Sequence, residues 1–554
     1  MYSKKTSLPI AILFISSLLA TGFMIGKQYD KISVESIAYA EAIIGLRFSD
    51  VERDSMITTL ENQKQAYDLS RKTSIPNDIA PSLIFNPLPH GFTPDQKQNE
   101  YNWGLIDQTN LPDNENDIAF LPVTTLSILI KDKHLTSEKL TKLYISRIKA
   151  HGDTLQALIT LLEASAIRTA RAMDKEIAAG KYRGPLHGIP YGIKDLFAVK
   201  GTKTTWGAEP YRDQEIDETA EIVDRLNEAG AVLVAKFTLG ALAMGDVWYG
   251  GVTKNPWNLR QGSSGSSAGS AATVGAGLVP FAIGTETLGS IVSPSTRNGV
   301  TGLRPTYGRV SKHGAMALSW SMDKIGPISR SALDNGIILS ALNGKDAKDK
   351  STIAAAFNYD ATKPVNELKV GYLVDLFERA HENDKEVLEV MKGLGIALQP
   401  LQLKTSVEPG AMRIMLLAEG AAAFDELTRL DQDDLLVAQH KNAWPNLFRA
   451  ARFIPAVEYI QASRLRSMLI EEVHELFKDY DVIITPSFAG SQLLITNLTG
   501  HPALVMPNGF TADGSPTSIT FLANLFDEEK LIMLGRAYQD ATVWNKRRPA
   551  YFDN

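Results

Sequence analysis

The run Gln261-Gly-Ser-Ser-Gly-Ser-Ser-Ala-Gly-Ser270, continued without a break by Ala271-Ala-Thr-Val-Gly-Ala-Gly-Leu-Val-Pro-Phe-Ala-Ile283, decides the architecture. By composition alone its first half is a flexible linker. A linker joins separate units, however, and this one feeds straight into a small-residue helix and then an apolar strand. An ordered, buried backbone that presents hydroxyls and amides is therefore expected. Helix and strand alternate on either side. Upstream, Thr136 or Ser137 caps a helix with Glu138 in its first turn, and Leu140, Leu143, Tyr144 and Ile148 form its apolar face. Glu218 to Ala229 then reads as helix and Ala231-Val-Leu-Val-Ala-Lys236 as a buried strand. Downstream, a helix over Val457 to Phe477 leads into the strand Asp481-Val-Ile-Ile-Thr485. This order predicts an α/β fold, one large α/β/α sandwich around a mixed, mostly parallel β-sheet.

Composition narrows the chemistry. With 554 residues, 44% hydrophobic and 22% charged, the chain reads as globular, with room for one large catalytic domain and appendages. A net charge of −6 with mixed signs gives no polybasic footprint, which argues against nucleic acid as partner and favours a small-molecule substrate. The absence of cysteine removes thiol nucleophiles, thiolate zinc sites and disulfides together. The nine histidines include no HExxH pair, so no metal is expected.

Three parts are expected along the chain. In residues 1–30, Lys4 and Lys5 precede an apolar run from Leu8 to Met24, which reads as an export signal or an N-terminal membrane anchor and implies a periplasmic, envelope or secreted location. Residues 31–120 read as a helical extension without legible chemistry. Residues 121–545 read as the one large domain.

Two further segments flank the Gly/Ser run. Gly188-Ile-Pro-Tyr-Gly-Ile-Lys194-Asp195 ends an apolar stretch on a lysine; burial there disfavours the ammonium and lets Lys194 act as a base, whereas a surface lysine flanking a strand is the plainer alternative. Gly284-Thr-Glu-Thr-Leu-Gly-Ser290 is a turn directly after the apolar strand, whose glycines allow successive backbone amides to converge on one point, with a serine at its end placed to attack.

In order and content these segments resemble the amidase-signature family. Gly265-Ser-Ser-Ala-Gly-Ser-Ala-Ala-Thr-Val274 is similar to its Gly/Ser hallmark and Gly284-Thr-Glu-Thr-Leu-Gly-Ser-Ile291 to its GTDTGGSI turn. Gly184-Pro-Leu-His-Gly-Ile-Pro190, Asn255-Pro-Trp257, Gly302-Leu-Arg-Pro-Thr306 and Gly500-His-Pro-Ala503 also fall where the family has comparable pieces, and the likeness runs from about Leu121 to Tyr538. The resemblance implies a serine amidase without cofactor. Lys194 is its base, Ser266 a relay serine preceded by a cis peptide, and Ser290 the nucleophile, with the amides of Thr287, Leu288, Gly289 and Ser290 as oxyanion hole. Ser263 competes for the relay role, but only Ser266 keeps the family's separation from Ser290. Leu288 stands where glycine is common and Glu286 where aspartate is common. Either the turn takes a negative φ at Leu288 or the oxyanion hole differs. Val292 replaces an arginine frequent in amidotransferase relatives, which disfavours an anionic amino-acid substrate.

Other readings compete. Gly265-Ser-Ser267-Ala-Gly269 fits the G-x-S-x-G elbow, but polar, turn-forming residues precede it instead of a buried strand; Ser321-Met-Asp-Lys324 fits S-x-x-K without the companion motifs. An amidotransferase of the A type shares the catalytic residues, and an envelope binding protein that kept the fold would be expected to have lost some of them.

Overall fold

The computed structural model describes residues 31–105 and 110–553. The apolar run read as export signal or anchor lies outside these residues, and among them no helix is long and apolar enough to cross a membrane. Two units are present, one comprising the chain up to Pro76 with Phe453–Pro455, the other Asn77–Arg452 with the chain from Ala456 onward. The small unit contains the helices Val34–Ile44 and Asp50–Ser70. Each opens on a reciprocal capping box, Ser33 with Ser36 and Ser49 with Glu52, and Arg53 ties the two together through Glu41 at 2.7 Å.

The large unit starts at Asn77, upstream of the boundary near residue 120 read from the sequence. Its first stretch directs its polar groups inward to the same unit. The Asn77 amide donates to Ala317 O (2.9 Å) and accepts from Ala317 N (2.7 Å), His90 N donates to Glu471 (2.8 Å), and Asn99 N donates to Asn358 (2.8 Å). Turn-rich sequence carries no periodicity from which such docking could be read.

The core of this unit is an 11-stranded sheet. Its strands in chain order are β1 (Leu158–Leu161), β2 (Pro190–Lys194), β3 (Val232–Phe237), β4 (Phe281–Glu286), β5 (Thr301–Arg304), β6 (Lys324–Ser329), β7 (Val370–Leu373), β8 (Leu398–Leu401), β9 (Val482–Pro486), β10 (Ala503–Phe510) and β11 (Pro516–Ala523). Their spatial order is β1-β3-β2-β4-β6-β5-β10-β11-β9-β7-β8. Every residue of β2, β4, β5, β6 and β9 is buried. Because successive side chains point to opposite faces, unbroken burial means that both faces are covered, as a sandwich requires.

The sheet is mixed, but "mostly parallel" does not describe it. Parallel pairing joins β2 to β3 and β4, and β7 to β8 and β9; the other six neighbouring pairs are antiparallel. The helix-then-strand pattern predicts crossovers, and crossovers give parallel neighbours. The central strands are joined differently. The turn Thr511–Ser515, closed by Thr511 N to Ser515 O at 2.8 Å, makes β10 and β11 a hairpin that can only pair antiparallel.

Local elements follow their sequence signals closely. The helix Ser137–Leu155 is capped by Thr136, whose hydroxyl accepts from Lys139 N, and helices Glu221–Glu228 and Ala456–Phe477 precede β3 and β9. The Gly/Ser run is no linker. Ser263 and Ser266–Ser270 are buried, and the run passes directly into the helix Ala268–Gly275, every residue of which is buried.

Candidate active site

Lys194 is the last residue of β2 and lies fully buried. Gly192, two residues before it, permits this: a Cβ there would lie 2.0 Å from the Phe237 ring of β3, so the strand can seat against its neighbour only without a side chain. Gly192→Ala should therefore destabilise the protein by about 1–3 kcal/mol, the usual range for overpacking, read as a lower urea midpoint at unchanged m-value. The Lys194 ammonium group is surrounded by hydroxyls. Its Nζ lies 2.8 Å from Ser266 Oγ, 2.9 Å from Thr285 Oγ1 and 3.2 Å from Ser267 Oγ. Burial pulls its pKa down to about 7 against the opposing pull of the Asp323 and Glu286 carboxylates.

Ser266 follows a cis peptide bond from Gly265, and a Cβ on Gly265 would fall 1.8 Å from Gly245 O. Around it the loop is pinned from several directions. Ser264 N donates to Asp246 Oδ2 (2.8 Å), the Ser264 and Ser293 hydroxyls bond at 2.7 Å, and Asn298 Nδ2 donates to Ser263 O (2.9 Å). Ser267 is spanned to β4 twice, its Oγ accepting from Thr285 N and donating to Thr285 O, both at 3.1 Å. Its own amide donates to Ser290 O (3.2 Å), which brings the Gly/Ser run and the turn after β4 side by side.

That turn is defined by which amides are taken. Thr285 N is taken by Ser267, and Ile291 N and Val292 N are both taken by Glu286 Oε2, at 2.8 and 3.0 Å. Among the described residues the four amides that follow the strand and precede Ile291, those of Thr287, Leu288, Gly289 and Ser290, donate to no protein acceptor. Four successive backbone donors without a protein partner are a set that can donate to one negatively charged oxygen. The left-handed backbone falls on Gly289 (φ 85°), and Leu288 is not among the positive-φ residues. The question raised by Leu288 is thereby answered: leucine fits because its neighbour carries the unusual dihedral. Ser290 itself is 8% exposed.

The competing serines are engaged elsewhere. Ser263 Oγ donates to Ser264 O, and Ser321 Oγ donates to Glu419 while Lys324 Nζ donates to Met322 O, so Ser321 and Lys324 are not bonded to one another. Lys236, read from the sequence as the end of a buried strand, makes a fully buried ion pair with Asp195, the residue after Lys194, at 2.8 Å. Sequence reasoning missed the second and third hydroxyls on Lys194. Thr285 lay inside a quoted motif but had no pattern to distinguish it, and Asn497, which donates to Glu286 Oε1 at 2.8 Å, had no signal at all. The helix Trp444–Ala451 stacks Trp444 on Phe448 (4.8 Å) and Phe448 on Phe424, and Trp444 Nε1 donates to Leu242 O at 2.9 Å. A separate cavity of about 750 Å³ is lined by Leu376, Arg379, Phe488 and Ser518, with Thr296 from the helix that follows Ser290. Among the described residues no group of three or more His, Asp or Glu side chains is placed to hold a metal ion.

Comparison with known proteins gives concordant matches. Residues 139–495 match the family model described as Amidase. The A subunit of the glutamyl-tRNA(Gln) amidotransferase of Coxiella burnetii is 32% identical over 470 residues, covering 76% of this chain and 97% of the relative. Among solved structures, the peptide amidase of Stenotrophomonas maltophilia is 29% identical over 78% of this chain and 99% of its own, with a TM-score of 0.68. A bacterial aryl acylamidase of the amidase-signature family, at 20% identity and a TM-score of 0.68, shares the fold.

Proposed function

The chain belongs to the amidase family, and from that membership we propose that it hydrolyses a carboxylic or peptide-type amide to the acid and ammonia or an amine, in the manner of the general amidases, with Ser290 as nucleophile, Ser266 as relay and Lys194 as base. The observation that carries this reading is the 2.8 Å contact between Ser266 Oγ and a buried lysine whose pKa is brought to about 7, beside four unclaimed amides. Neutral Lys194 takes the Ser266 proton as Ser266 takes that of Ser290, whose oxygen attacks the amide carbon. The carbonyl electrons move onto oxygen, where the amides of Thr287 to Ser290 donate to it. Collapse expels the amine, which receives the relayed proton, and leaves an acyl group on Ser290. Water, deprotonated by the same relay, releases the acid.

A neutral amine has two N–H bonds and one lone pair, yet three hydroxyls surround Lys194. The Ser267 proton is committed to Thr285 O, so Ser267 can only accept from the lysine. If Thr285 accepts the other N–H, the lone pair points at Ser266. Thr285→Val should then lower kcat roughly tenfold, the scale of one lost hydrogen bond, with KM little changed. An equal rise in KM instead would place Thr285 in substrate binding.

The direct test is labelling with a fluorophosphonate followed by peptide mapping. Adduct on Ser290 supports the assignment, and adduct elsewhere or none removes it. Wild-type turnover should also be insensitive to a chelator. A second reading, an amidotransferase of the A type, is favoured by the curated relatives. It predicts glutamine hydrolysis and dependence on partner chains, whereas the amidase reading predicts turnover of neutral amides by the chain alone. Export or anchoring rests on Lys4, Lys5 and the apolar run to Met24, and fractionation of cells carrying the full chain tests it.

A further inference from the structure

The turn that follows β4 is closed at its base by a single carboxylate. Glu286 is fully buried, and its two oxygens take four donors: Ile291 N and Val292 N on Oε2, Arg304 Nη1 (2.7 Å) and Asn497 Nδ2 (2.8 Å) on Oε1. Arg304 is itself fixed by Thr496 Oγ1 (2.8 Å) and His501 O (3.0 Å). The carboxylate therefore closes the chain from residue 286 onto residues 291 and 292, and so sets where the segment between them can go. Two further ties hold that segment, Thr287 Oγ1 to Asp323 Oδ1 at 2.5 Å and Ser293 N to Gly289 O at 2.8 Å. None of these bonds uses the amides of Thr287 to Ser290.

We infer that Glu286, backed by Arg304 and Asn497, is the positioning residue of the oxyanion hole: by consuming the amides on the far side of Ser290 it leaves the four before them aimed together. The inference rests on the amidase reading of the site. Glu286 touches neither substrate nor reacting atoms and acts through the backbone. Saturated by four donors, it stays ionised far into acid, its pKa held at about 2 chiefly by Arg304 against the penalty of burial. It is also one of two carboxylates, with Asp323, that favour the Lys194 ammonium, while the remaining groups on Lys194 are the hydroxyls of Ser266, Ser267 and Thr285.

The test compares wild type with Glu286→Gln, Glu286→Asp and Asn497→Ala. Three readouts are taken on the full chain: kcat and KM for a neutral amide, the affinity of a trifluoromethyl ketone whose adduct carries an oxyanion, and the pH dependence of kcat/KM. Glu286→Gln should lose about 10²-fold in kcat and a similar factor in ketone affinity, with KM changed less than threefold. Its acid limb should move to lower pH, because one carboxylate that favours the ammonium is gone. Glu286→Asp keeps the charge and should recover part of the rate with the limb in its wild-type place. If Glu286→Gln fails to fold, as an unpaired buried Arg304 could cause, Asn497→Ala carries the test, since it removes one donor and leaves the ion pair; it should lower kcat and ketone affinity together by a smaller factor. Folded variants with wild-type kcat and ketone affinity would overturn the inference, as would a loss confined to KM. Failure of the underlying reading looks different: wild type itself would then neither hydrolyse amides nor bind the ketone.

Discussion

Ser290→Ala should abolish amide hydrolysis, lowering kcat by about 10⁴-fold or more, because removing the nucleophile of a serine hydrolase leaves only what binding and the oxyanion hole contribute. The fold should not notice the change. Among the described residues the structural bonds at this position use the carbonyl, which accepts from Ser267 N, and the Oγ takes part in none. Thermal unfolding of the variant should stay within about 0.5 kcal/mol of wild type, as for substitutions away from buried networks. The same variant should lose its fluorophosphonate label. Ser267→Ala separates this assignment from the nucleophile-elbow alternative: labelling should persist at Ser290 and activity should fall by an order of magnitude at most. Turnover retained by Ser290→Ala, or lost with the label in Ser267→Ala, would move the nucleophile to the other serine.

The backbone constraints of the candidate site are more legible in the sequence than the pairing of the sheet that carries it. Lys194, Ser266 and the turn to Ser290 stand in short segments where glycine and serine are dictated by close backbone approach, as at Gly192 against Phe237 and Gly265 against Gly245. Steric demands of that kind leave a local imprint. The direction of strand pairing leaves none, because it depends on how distant segments meet. β5 and β10 are far apart in the chain and pair antiparallel, which no helix-then-strand pattern near Thr301 or Ala503 reveals. The same reason hid Asn497. It reaches Glu286 from the helix Gln492–Thr499, and nothing around Thr496-Asn-Leu-Thr499 distinguishes it from an ordinary buried helix residue. Leu288 shows the converse, a departure that looked like a conflict in the sequence and is resolved one residue away, at Gly289.

Lys194 gives the last expectation, in both activity and stability. An unperturbed lysine, with a pKa of about 10.4, is almost wholly charged at neutrality and useless as a base. Burial brings this one to about 7, so near neutral pH a substantial fraction is neutral. kcat/KM for a neutral amide should rise through one ionisation near pH 7. Lys194→Ala should lose that limb and about 10²–10⁴-fold in rate, the usual contribution of a positioned base. The stability effect has the opposite sense to that of an ion-paired lysine. Because the folded pKa lies below the unfolded one, the fold excludes the proton; stability is fully present above the unfolded value, declines as pH falls from about 10 toward 7, and is lowest below the folded value. At 1.36 kcal/mol per unit the displacement amounts to about 3–6 kcal/mol. Lys194→Met cannot bind that proton. The difference in unfolding free energy between wild type and Lys194→Met, measured in urea from pH 6 to 10, should therefore change by several kcal/mol across the interval in favour of wild type as pH rises. A difference flat with pH would mean that Lys194 keeps its ordinary pKa in the fold, and the base would have to be sought elsewhere.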